Sequence, residues 1–320
     1  MTRYVIGRLA QFVPVLLLSS FLIFMILHLA PGDPASLVAG EDASPEAIAQ
    51  VRRELGLDRP VVVQFIDWLG GVLTGDLGTS YVNGQPAAEL IMTRVGPTLQ
   101  LALTSILIAV VIAIPLGCLA AMRPNGVVDR LVTTLTALPI AIPNFWLAII
   151  GILVFALYLG ILPAGGYASL TDNPGEAAKY LILPAFALAS DQMAILIRYC
   201  RTAMIEALSE DYIRTAVAKG ISRVRVVVRH GLRNALIPVV TMLGIMLGHM
   251  LSGAVIIEAI FAWPGLGRLL VQSILNRDYL VVQGILLLMV AWFALINLIV
   301  DLVYGGIDPR IRLGRREVAA

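Results

Sequence analysis

Long apolar runs alternate with shorter polar segments along most of this chain. Since about 20 apolar residues carry a helix across a hydrocarbon core, six runs qualify: residues 9–29, 99–122, 131–159, 180–200, 235–257 and 280–300. The run 131–159 contains Pro139 and Pro143. It predicts a helix that kinks or starts late, because proline removes a backbone donor and clashes with the preceding turn. The pattern therefore predicts an all-α integral membrane protein with six transmembrane helices.

The polar segment 31–97 separates the first two runs and carries helix signals of its own. Pro45 follows Ser44, which is typical of a helix start, and an amphipathic helix is expected to reach Leu55 and stop at Gly56. Pro60 opens a second predicted helix, with apolar positions at Val63, Phe65, Ile66 and Leu69 and turns at Gly70, Gly71, Gly75 and Gly78. The segment thus predicts a small helical insert.

Composition and charge agree with a membrane protein and orient it. The chain is 59% hydrophobic and 14% charged, whereas soluble domains carry about 25% charged residues. With both termini in the cytoplasm, the inner segments hold 16 of the 23 Lys and Arg residues and the outer segments seven. Lys and Arg favour the cytoplasmic side, so this orientation is predicted. The insert 31–97 is then external.

A charged island, residues 206–238, interrupts the apolar pattern between the fourth and fifth runs. Residues 206–220 have helical spacing, with one stripe at Leu208, Tyr212, Ala216 and Gly220. Glu210 and Arg214 form a predicted i, i+4 pair. Gly220 suits a left-handed helix end, and Ser222 suits the start of a second helix that carries Arg223, Arg225, Arg229 and Arg233. No aromatic platform accompanies these arginines, so nucleic-acid binding is not indicated.

Two interpretations of the island remain at this point. A basic loop can serve only to fix topology, or it can be a cytoplasmic surface for a soluble partner. Topology requires charge, but it does not require a small-residue stripe that ends at a glycine. The pattern therefore favours a docking surface.

Several motifs in the chain resemble those of binding-protein-dependent ABC importer permeases. The series Asp211-Tyr-Ile-Arg-Thr-Ala-Val-Ala-Lys-Gly220 and Arg229-His-Gly-Leu-Arg-Asn-Ala-Leu-Ile-Pro238 resembles the cytoplasmic signature loop of the dipeptide/oligopeptide subfamily, in the subunit type with the larger external insert. Further matching motifs occur in the expected order: Ala30-Pro-Gly-Asp-Pro34, Gly56-Leu-Asp-Arg-Pro60, Gly75-Asp-Leu-Gly78, Phe261-Ala-Trp-Pro-Gly-Leu-Gly-Arg268, Arg277-Asp-Tyr279 and Asp308-Pro-Arg310.

The resemblance implies a type I ABC importer permease with no catalytic activity of its own. It implies residues 1–30 as N-terminus and first span, 31–97 as external helical insert, 98–305 as the five-span core with a coupling loop at 201–234, and 306–320 as cytoplasmic tail. The implied ATPase-coupling residues are Glu206, Tyr212, Arg214, Ala216, Lys219 and Gly220. The wider family has Glu-Ala-Ala where this chain has Arg214, Thr215 and Ala216, so a glutamate-mediated contact is not implied.

The resemblance also implies partners. These are a second homologous permease, two ATP-binding subunits that hold ATP and Mg²⁺, a periplasmic or lipid-anchored solute-binding protein, membrane lipid and a peptide substrate. This chain itself is expected to bind no cofactor and no metal, and the complex is expected in the cell inner membrane. Dipeptides and oligopeptides are the expected cargo, and glutathione, nickel complexes and oligosaccharides remain alternatives.

Polar residues inside the apolar runs are candidates for the translocation path: Asp191, Gln192, Asn144 and His249. An ionisable group in a span is by default functional, but Asp191 is equally readable as a structural carboxylate between helices. For Asn144 and His249 a packing role is favoured. Gly244, Gly248 and Gly253 offer small faces for helix contact, either within the chain or at a shared path. Phe261 and Trp263 are expected as interface anchors.

Other classes of membrane protein lack support in the sequence. No phosphate-binding loop is present, so ATP hydrolysis does not reside in this chain. Neither a His-Glu-x-x-His pair nor a Gly-x-Ser-x-Gly elbow indicates an intramembrane enzyme. No filter-like repeat indicates an ion channel. A secondary transporter is less favoured, because no inverted repeat is evident.

Overall fold

A computed structural model describes residues 2–28, 33–40 and 42–307, and this part of the chain is almost entirely helical. The motif at 308–310, most of the motif at 30–34 and most of the predicted tail 306–320 lie outside the described residues. Contacts divide the chain into a first unit, residues up to Thr98 with Pro264–Leu295, and a second unit, Leu99–Trp263 with the residues from Ile296 on. The predicted division at residues 30, 97 and 305 stays a prediction.

The helices are, in chain order, α1 (Thr2–His28), α2 (Pro34–Ala39), α3 (Pro45–Glu54), α4 (Val61–Thr74), α5 (Ala87–Ala121), α6 (Val127–Ala141), α7 (Asn144–Gly151), α8 (Pro174–Ser209), α9 (Asp211–Ala218), α10 (Arg223–Arg225), α11 (Leu232–Ile260), α12 (Leu266–Leu275) and α13 (Tyr279–Ile307). Two π-helical segments, Ile152–Tyr158 and Val226–Gly231, follow α7 and α10. The predicted all-α fold is confirmed.

The short helices of the insert begin where the sequence predicts. The Ser44 hydroxyl accepts a hydrogen bond from the Ala47 N–H at 3.3 Å at the start of α3, which satisfies one of the backbone donors left free there. Gly56 follows α3 with a φ of 67°. Gly75 ends α4 in the left-handed conformation.

The predicted turns at Gly70 and Gly71 are wrong, because α4 continues through both glycines. The first unit holds this helix by packing its aromatic face on α1. The ring centroids of Phe24 and Phe65 lie 5.5 Å apart, and those of Phe24 and Trp68 lie 5.7 Å apart. Such tertiary packing overrides the weak helix propensity of two glycines.

In the second unit, α8 is the central helix. Of its most apolar stretch, 67% is buried, against 33% for α5 and 35% for α11. By length and composition, four helices among the described residues qualify as membrane spans: α5, α8, α11 and α13. The pair α6 and α7 qualifies together as a bent fifth span, and the apolar stretch Phe12–Met25 of α1 is shorter. The count of six spans stays a prediction.

The third predicted span is broken at its second proline. α6 ends at Ala141, Ile142 is extended, and α7 begins after Pro143. A residue that precedes proline avoids the helical region, and the proline ring has no N–H for the helix ladder. The axes of the two halves differ by 99°. The predicted kink is therefore confirmed, and it is a sharp break.

Glycines of α11 pack within the second unit. A β-carbon on Gly244 would overlap the Val300 side chain, and one on Gly253 would lie 3.2 Å from Leu188 Cδ1. These contacts favour the intrachain role of the small face.

The aromatic residues that follow α11 are buried. Phe261 is 1% exposed and Trp263 is 0% exposed. The ring of Trp263 lies edge-on to Tyr167, with 4.9 Å between centroids. The backbone oxygen of Phe261 accepts a hydrogen bond from Gly166 N at 2.8 Å. The prediction that Phe261 and Trp263 are interface anchors is wrong, because both side chains are buried inside the second unit.

Candidate functional site

The charged island does not form a single helix from Glu206 onward. Glu206 lies in the last turns of α8, which runs on to Ser209. The chain then turns at Glu210, whose φ of −69° and ψ of 149° are extended, and α9 starts at Asp211. Serine and aspartate are poor in helix interiors and suit helix ends, and an acidic first residue favours a new N-terminus. The predicted helix 206–220 is thus two helices with a corner between them.

The C-terminus of α9 closes as predicted, at Gly220. Its φ is 77°, its N–H donates to Val217 O at 2.9 Å, and Ile221 N–H donates to Ala216 O at 3.2 Å. These two bonds form a Schellman motif, which reverses the chain and satisfies the last carbonyls. The prediction for Gly220 is confirmed.

The inner face of α9 is set by Ile213 and Ala216, which are 5% and 6% exposed. Both pack with Val226 of the following π-helical segment, and Leu208 and Ile221 contact the same cluster. Of the predicted stripe, Leu208 and Ala216 belong to this cluster, whereas Tyr212 is 40% exposed and Ile213 takes its place on the inner face. The corner at residue 210 resets the helical phase, so spacing counted from α8 does not carry into α9.

Tyr212 joins three helices through its hydroxyl. The Asn234 side-chain amide of α11 donates to Tyr212 Oη at 2.7 Å, and the same hydroxyl donates to Ala207 O of α8 at 3.3 Å. The ring remains 40% exposed. A displacement of α9 consequently strains hydrogen bonds to both neighbouring helices.

The outer face of α9 is fully accessible in this chain. Arg214 pairs with Asp211 at 3.2 Å, and the two side chains are 78% and 92% exposed. The predicted pair of Arg214 with Glu210 is wrong, because Glu210 lies outside the helix. Val217 is 58% exposed, and Lys219 is exposed beside it. This face presents cationic and apolar groups to solvent.

The predicted basic helix follows Ser222 and leads without interruption into α11. Its inner side buries Val226 and Val227, while the described arginines on it, Arg225, Arg229 and Arg233, are exposed. At Gly231 a β-carbon would lie 3.0 Å from Leu208 Cδ2, so a side chain there would require Leu208 to shift. The π-helical segment between α10 and α11 is a geometry found frequently at functional sites.

A largely buried ion pair close to the charged island was not predicted from the sequence. Arg201 of α8 binds both oxygens of Asp129 in α6, through Nε and through Nη2, the latter at 2.7 Å. Asn125 N–H donates to the same carboxylate at 2.7 Å. The Asp129 side chain is 4% exposed and that of Arg201 26%. In the sequence, the only sign of this ion pair is that Asp129 is an isolated acidic residue between Arg123 and Arg130.

The path candidates Asp191, Gln192 and Asn144 lie together. Asn144 Nδ2 donates to Asp191 Oδ1 at 3.2 Å, and Gln192 Nε2 donates to Oδ2 at 2.9 Å. Asn144 opens α7 directly after the break, so this bond ties the broken span to α8. The contact favours the structural interpretation of Asp191, and its place in the path stays a prediction.

His249 does not join that group. It is exposed on α11, and the described part of the chain provides its side chain with no hydrogen bond. Its role in the path stays a prediction. Within the described residues, no group of three His, Cys, Asp or Glu side chains is placed to hold a metal ion.

In the first unit, Asp278 anchors the loop before α5. Its carboxylate accepts hydrogen bonds from the Ser80 hydroxyl and, at 3.1 Å, from Tyr81 N–H. Asp278 is 4% exposed. Burial, and then the charge of Asp278, raises the pKa of Tyr81 to about 12, so its hydroxyl keeps its proton at physiological pH. The motif Arg277-Asp-Tyr279 marked this position without indicating its partner.

Comparisons with protein families cover nearly the whole chain. The family described as "Binding-protein-dependent transport system inner membrane component" matches residues 113–313. The N-terminal family of the same membrane components matches residues 1–102.

Individual proteins give the same picture. The chain is 45% identical over 312 residues to the glutathione transport system permease protein GsiC of Salmonella typhimurium strain LT2, covering 98% of this chain and 99% of that protein. It is 44% identical over 312 residues, with the same coverage, to a putative peptide transport system permease protein of Brucella abortus strain 2308. A chain of the MetNI methionine ABC transporter, solved in inward-facing conformations, shares the fold with a TM-score of 0.56 at 22% identity, over 68% of this chain and 96% of that one.

Proposed function

This chain belongs to the binding-protein-dependent transport system inner membrane components and is the non-catalytic permease subunit of an ABC importer; from that premise we propose that it imports short peptides. It is a multi-pass membrane protein that works with ATPase and substrate-binding partners. The proposal concerns the cargo, the assembly and the residues that link movement of an ATPase subunit to this chain.

One observation carries the cargo proposal. Relatives that align over 98% of this chain at 44–45% identity are named as permeases for peptides and for glutathione. Glutathione is itself a peptide, so both names fall in one chemical class. Dipeptides and oligopeptides are the proposed cargo, and glutathione is the second candidate, favoured by the name of the Salmonella relative.

The proposed assembly places two permeases side by side in the cell inner membrane, with two ATP-binding subunits on the cytoplasmic side. These subunits hold ATP and Mg²⁺, and a solute-binding protein delivers cargo on the other side. The distribution of Lys and Arg, 16 of 23 on the segments assigned to the cytoplasm, supports both termini inside.

We propose that α9 is the element that docks on an ATPase subunit. Its outer face presents Arg214, Val217 and Lys219 to solvent, while its inner face is held by Ile213 and Ala216. A helix with one anchored and one open face suits transmission of a partner's movement. Through Tyr212 and its two bonds, such movement reaches α8 and α11.

Uptake into proteoliposomes tests the cargo. The complete transporter is reconstituted with its binding protein, and accumulation of radiolabelled dialanine is followed with and without ATP. We expect ATP-dependent uptake that unlabelled dipeptides and tripeptides reduce. ATP-dependent uptake of labelled glutathione without uptake of dialanine would select the second candidate. No ATP-dependent dialanine uptake, combined with ATP-dependent uptake of labelled nickel complexes or oligosaccharides, would refute a peptide cargo.

A further inference from the structure

The first unit contains a cavity that the proposed transport function does not use. Its volume is about 630 Å³, and it is lined by residues of α1, α3, α4, the segment 76–81 and the start of α13. Cavities that hold small molecules measure about 300–1,000 Å³. We call it the insert cavity.

A nearly buried glutamine in the wall of the insert cavity has an unpaired amide group. Gln283 of α13 is 6% exposed and lines the cavity, and among the described residues its carboxamide makes no hydrogen bond. Buried polar side chains are in large majority hydrogen-bonded, so an amide with no protein partner beside a cavity is available to water or to a ligand. A carboxamide both donates and accepts, which matches an amide group on a ligand.

Tyr81 adds a second free polar group to the same wall. Its backbone N–H is used by Asp278, but its hydroxyl has no hydrogen-bond partner in the part of the chain that the structure describes. Because the hydroxyl stays protonated, it is available as a donor. Trp68 and Phe24 supply apolar surface nearby.

The charges around the insert cavity favour a cation. Arg52 is paired with Asp33 at 2.6 Å and Arg59 with Asp67 at 3.0 Å. Asp76 also lines the cavity, and within the described residues no cation pairs with it. One Asp76 oxygen accepts the Gly78 N–H at 2.8 Å, which leaves the other for a ligand. An ammonium group forms a charge-assisted hydrogen bond with such a free carboxylate oxygen.

We propose that the insert cavity binds a small molecule that carries both an ammonium group and an amide group, as the N-terminus of a short peptide does. Asp76 binds the ammonium, and Gln283 binds the amide. The Tyr81 hydroxyl donates to a further oxygen of the ligand. This site is distinct from the translocation path, and the proposal does not depend on which cargo crosses the membrane.

Calorimetric titration of the purified complete transporter in detergent tests the site, with dialanine as the probe. We expect dialanine to bind. N-acetyl-dialanine, which lacks the ammonium, and ethylamine, which lacks the amide, should each bind about tenfold more weakly. Equal binding of dialanine and ethylamine would overturn the role of the amide.

Variants locate the binding. Gln283→Leu keeps the buried volume and removes the unpaired amide, so the affinity for dialanine should fall about tenfold. Gln272→Leu, an exposed position of α12, is the matched control and should bind like the parent. Asp76→Asn keeps the oxygen that accepts the Gly78 N–H and should also weaken binding. Absence of dialanine binding, or binding unchanged in both cavity variants, overturns the proposal, whereas the uptake experiment reports on the cargo separately.

Discussion

Removing one hydroxyl, in Tyr212→Phe, tests whether α9 transmits movement through its side-chain bonds. The substitution keeps the ring and deletes the hydrogen bonds to Asn234 and to Ala207 O, which measure 2.7 and 3.3 Å. Each such bond is worth about 0.5–1.5 kcal/mol net. Because the ring is 40% exposed, water replaces part of the loss, and a total of about 1 kcal/mol is expected.

A loss of about 1 kcal/mol makes local opening of α9 about fivefold more frequent. Hydrogen–deuterium exchange measures this at the α9 amides, for example at Lys219 N–H, which donates to Thr215 O at 3.1 Å. In proteoliposomes, the number of ATP molecules hydrolysed per cargo molecule should rise, since nucleotide-driven movement reaches the spans less faithfully. Insertion in the membrane should be unchanged.

Tyr199→Phe is the matched control. Tyr199 is a tyrosine of α8 that is 42% exposed, and its hydroxyl makes no hydrogen bond within the described residues. If Tyr212→Phe and Tyr199→Phe gave the same exchange rates and the same ratio of ATP to cargo, the hydroxyl of Tyr212 would have no coupling role. Asn234→Ala should reproduce part of the Tyr212→Phe effect, because it removes one of the two bonds.

Three further predictions concern single contacts. Asp129→Asn should lower the free energy of unfolding by about 3 kcal/mol, because it leaves Arg201 without its buried partner. Asp211→Asn, in an exposed pair, should change the free energy of unfolding by less than about 1 kcal/mol. Equal shifts of the melting temperature for the two variants would contradict this prediction. Gly220→Ala should cost about 1–2 kcal/mol of stability through its positive φ alone, since a β-carbon there meets nothing within 4 Å. It should raise the number of ATP molecules hydrolysed per cargo molecule, whereas the equally strained Gly160→Ala should not. Identical ratios for the two variants would argue against a special role for the loop. Charge reversal at Arg214 and Lys219 should leave folding intact and weaken ATPase binding, measured by co-purification; undiminished co-purification would argue against docking on the outer face of α9.

Features set by local backbone chemistry were predictable from the sequence. Pro143 breaks its span because the residue before it avoids the helical region and its ring has no N–H, and Gly220 ends α9 because it accepts a positive φ at no steric cost. Ser44 caps α3 for an equally local reason. Each of these signals is contained within a few consecutive residues.

Features set by contact between distant residues were not predictable. Asp129 and Arg201 are 72 positions apart, and Ser80 and Asp278 are 198 apart. A single sequence with no partner information does not indicate which charges meet. The corner at Glu210 was not predictable either, because no proline or glycine marks it and the apolar spacing continues through it. The aromatic pair Phe261 and Trp263 matched the composition of an interface anchor, yet burial decided otherwise.

The residues that attach α9 to the rest of this chain differ from the residues that it exposes to solvent. Within the described residues, the contacts that fix this helix lie on its inner side or at its end: Ile213, Ala216, the Tyr212 hydroxyl and the Schellman bonds of Gly220. The outward positions 214, 217 and 219 contribute almost nothing to that attachment. Their side chains are thus free to diverge without loss of fold; with α9 docked on an ATPase as proposed, transporters that share one membrane each retain their own ATPases.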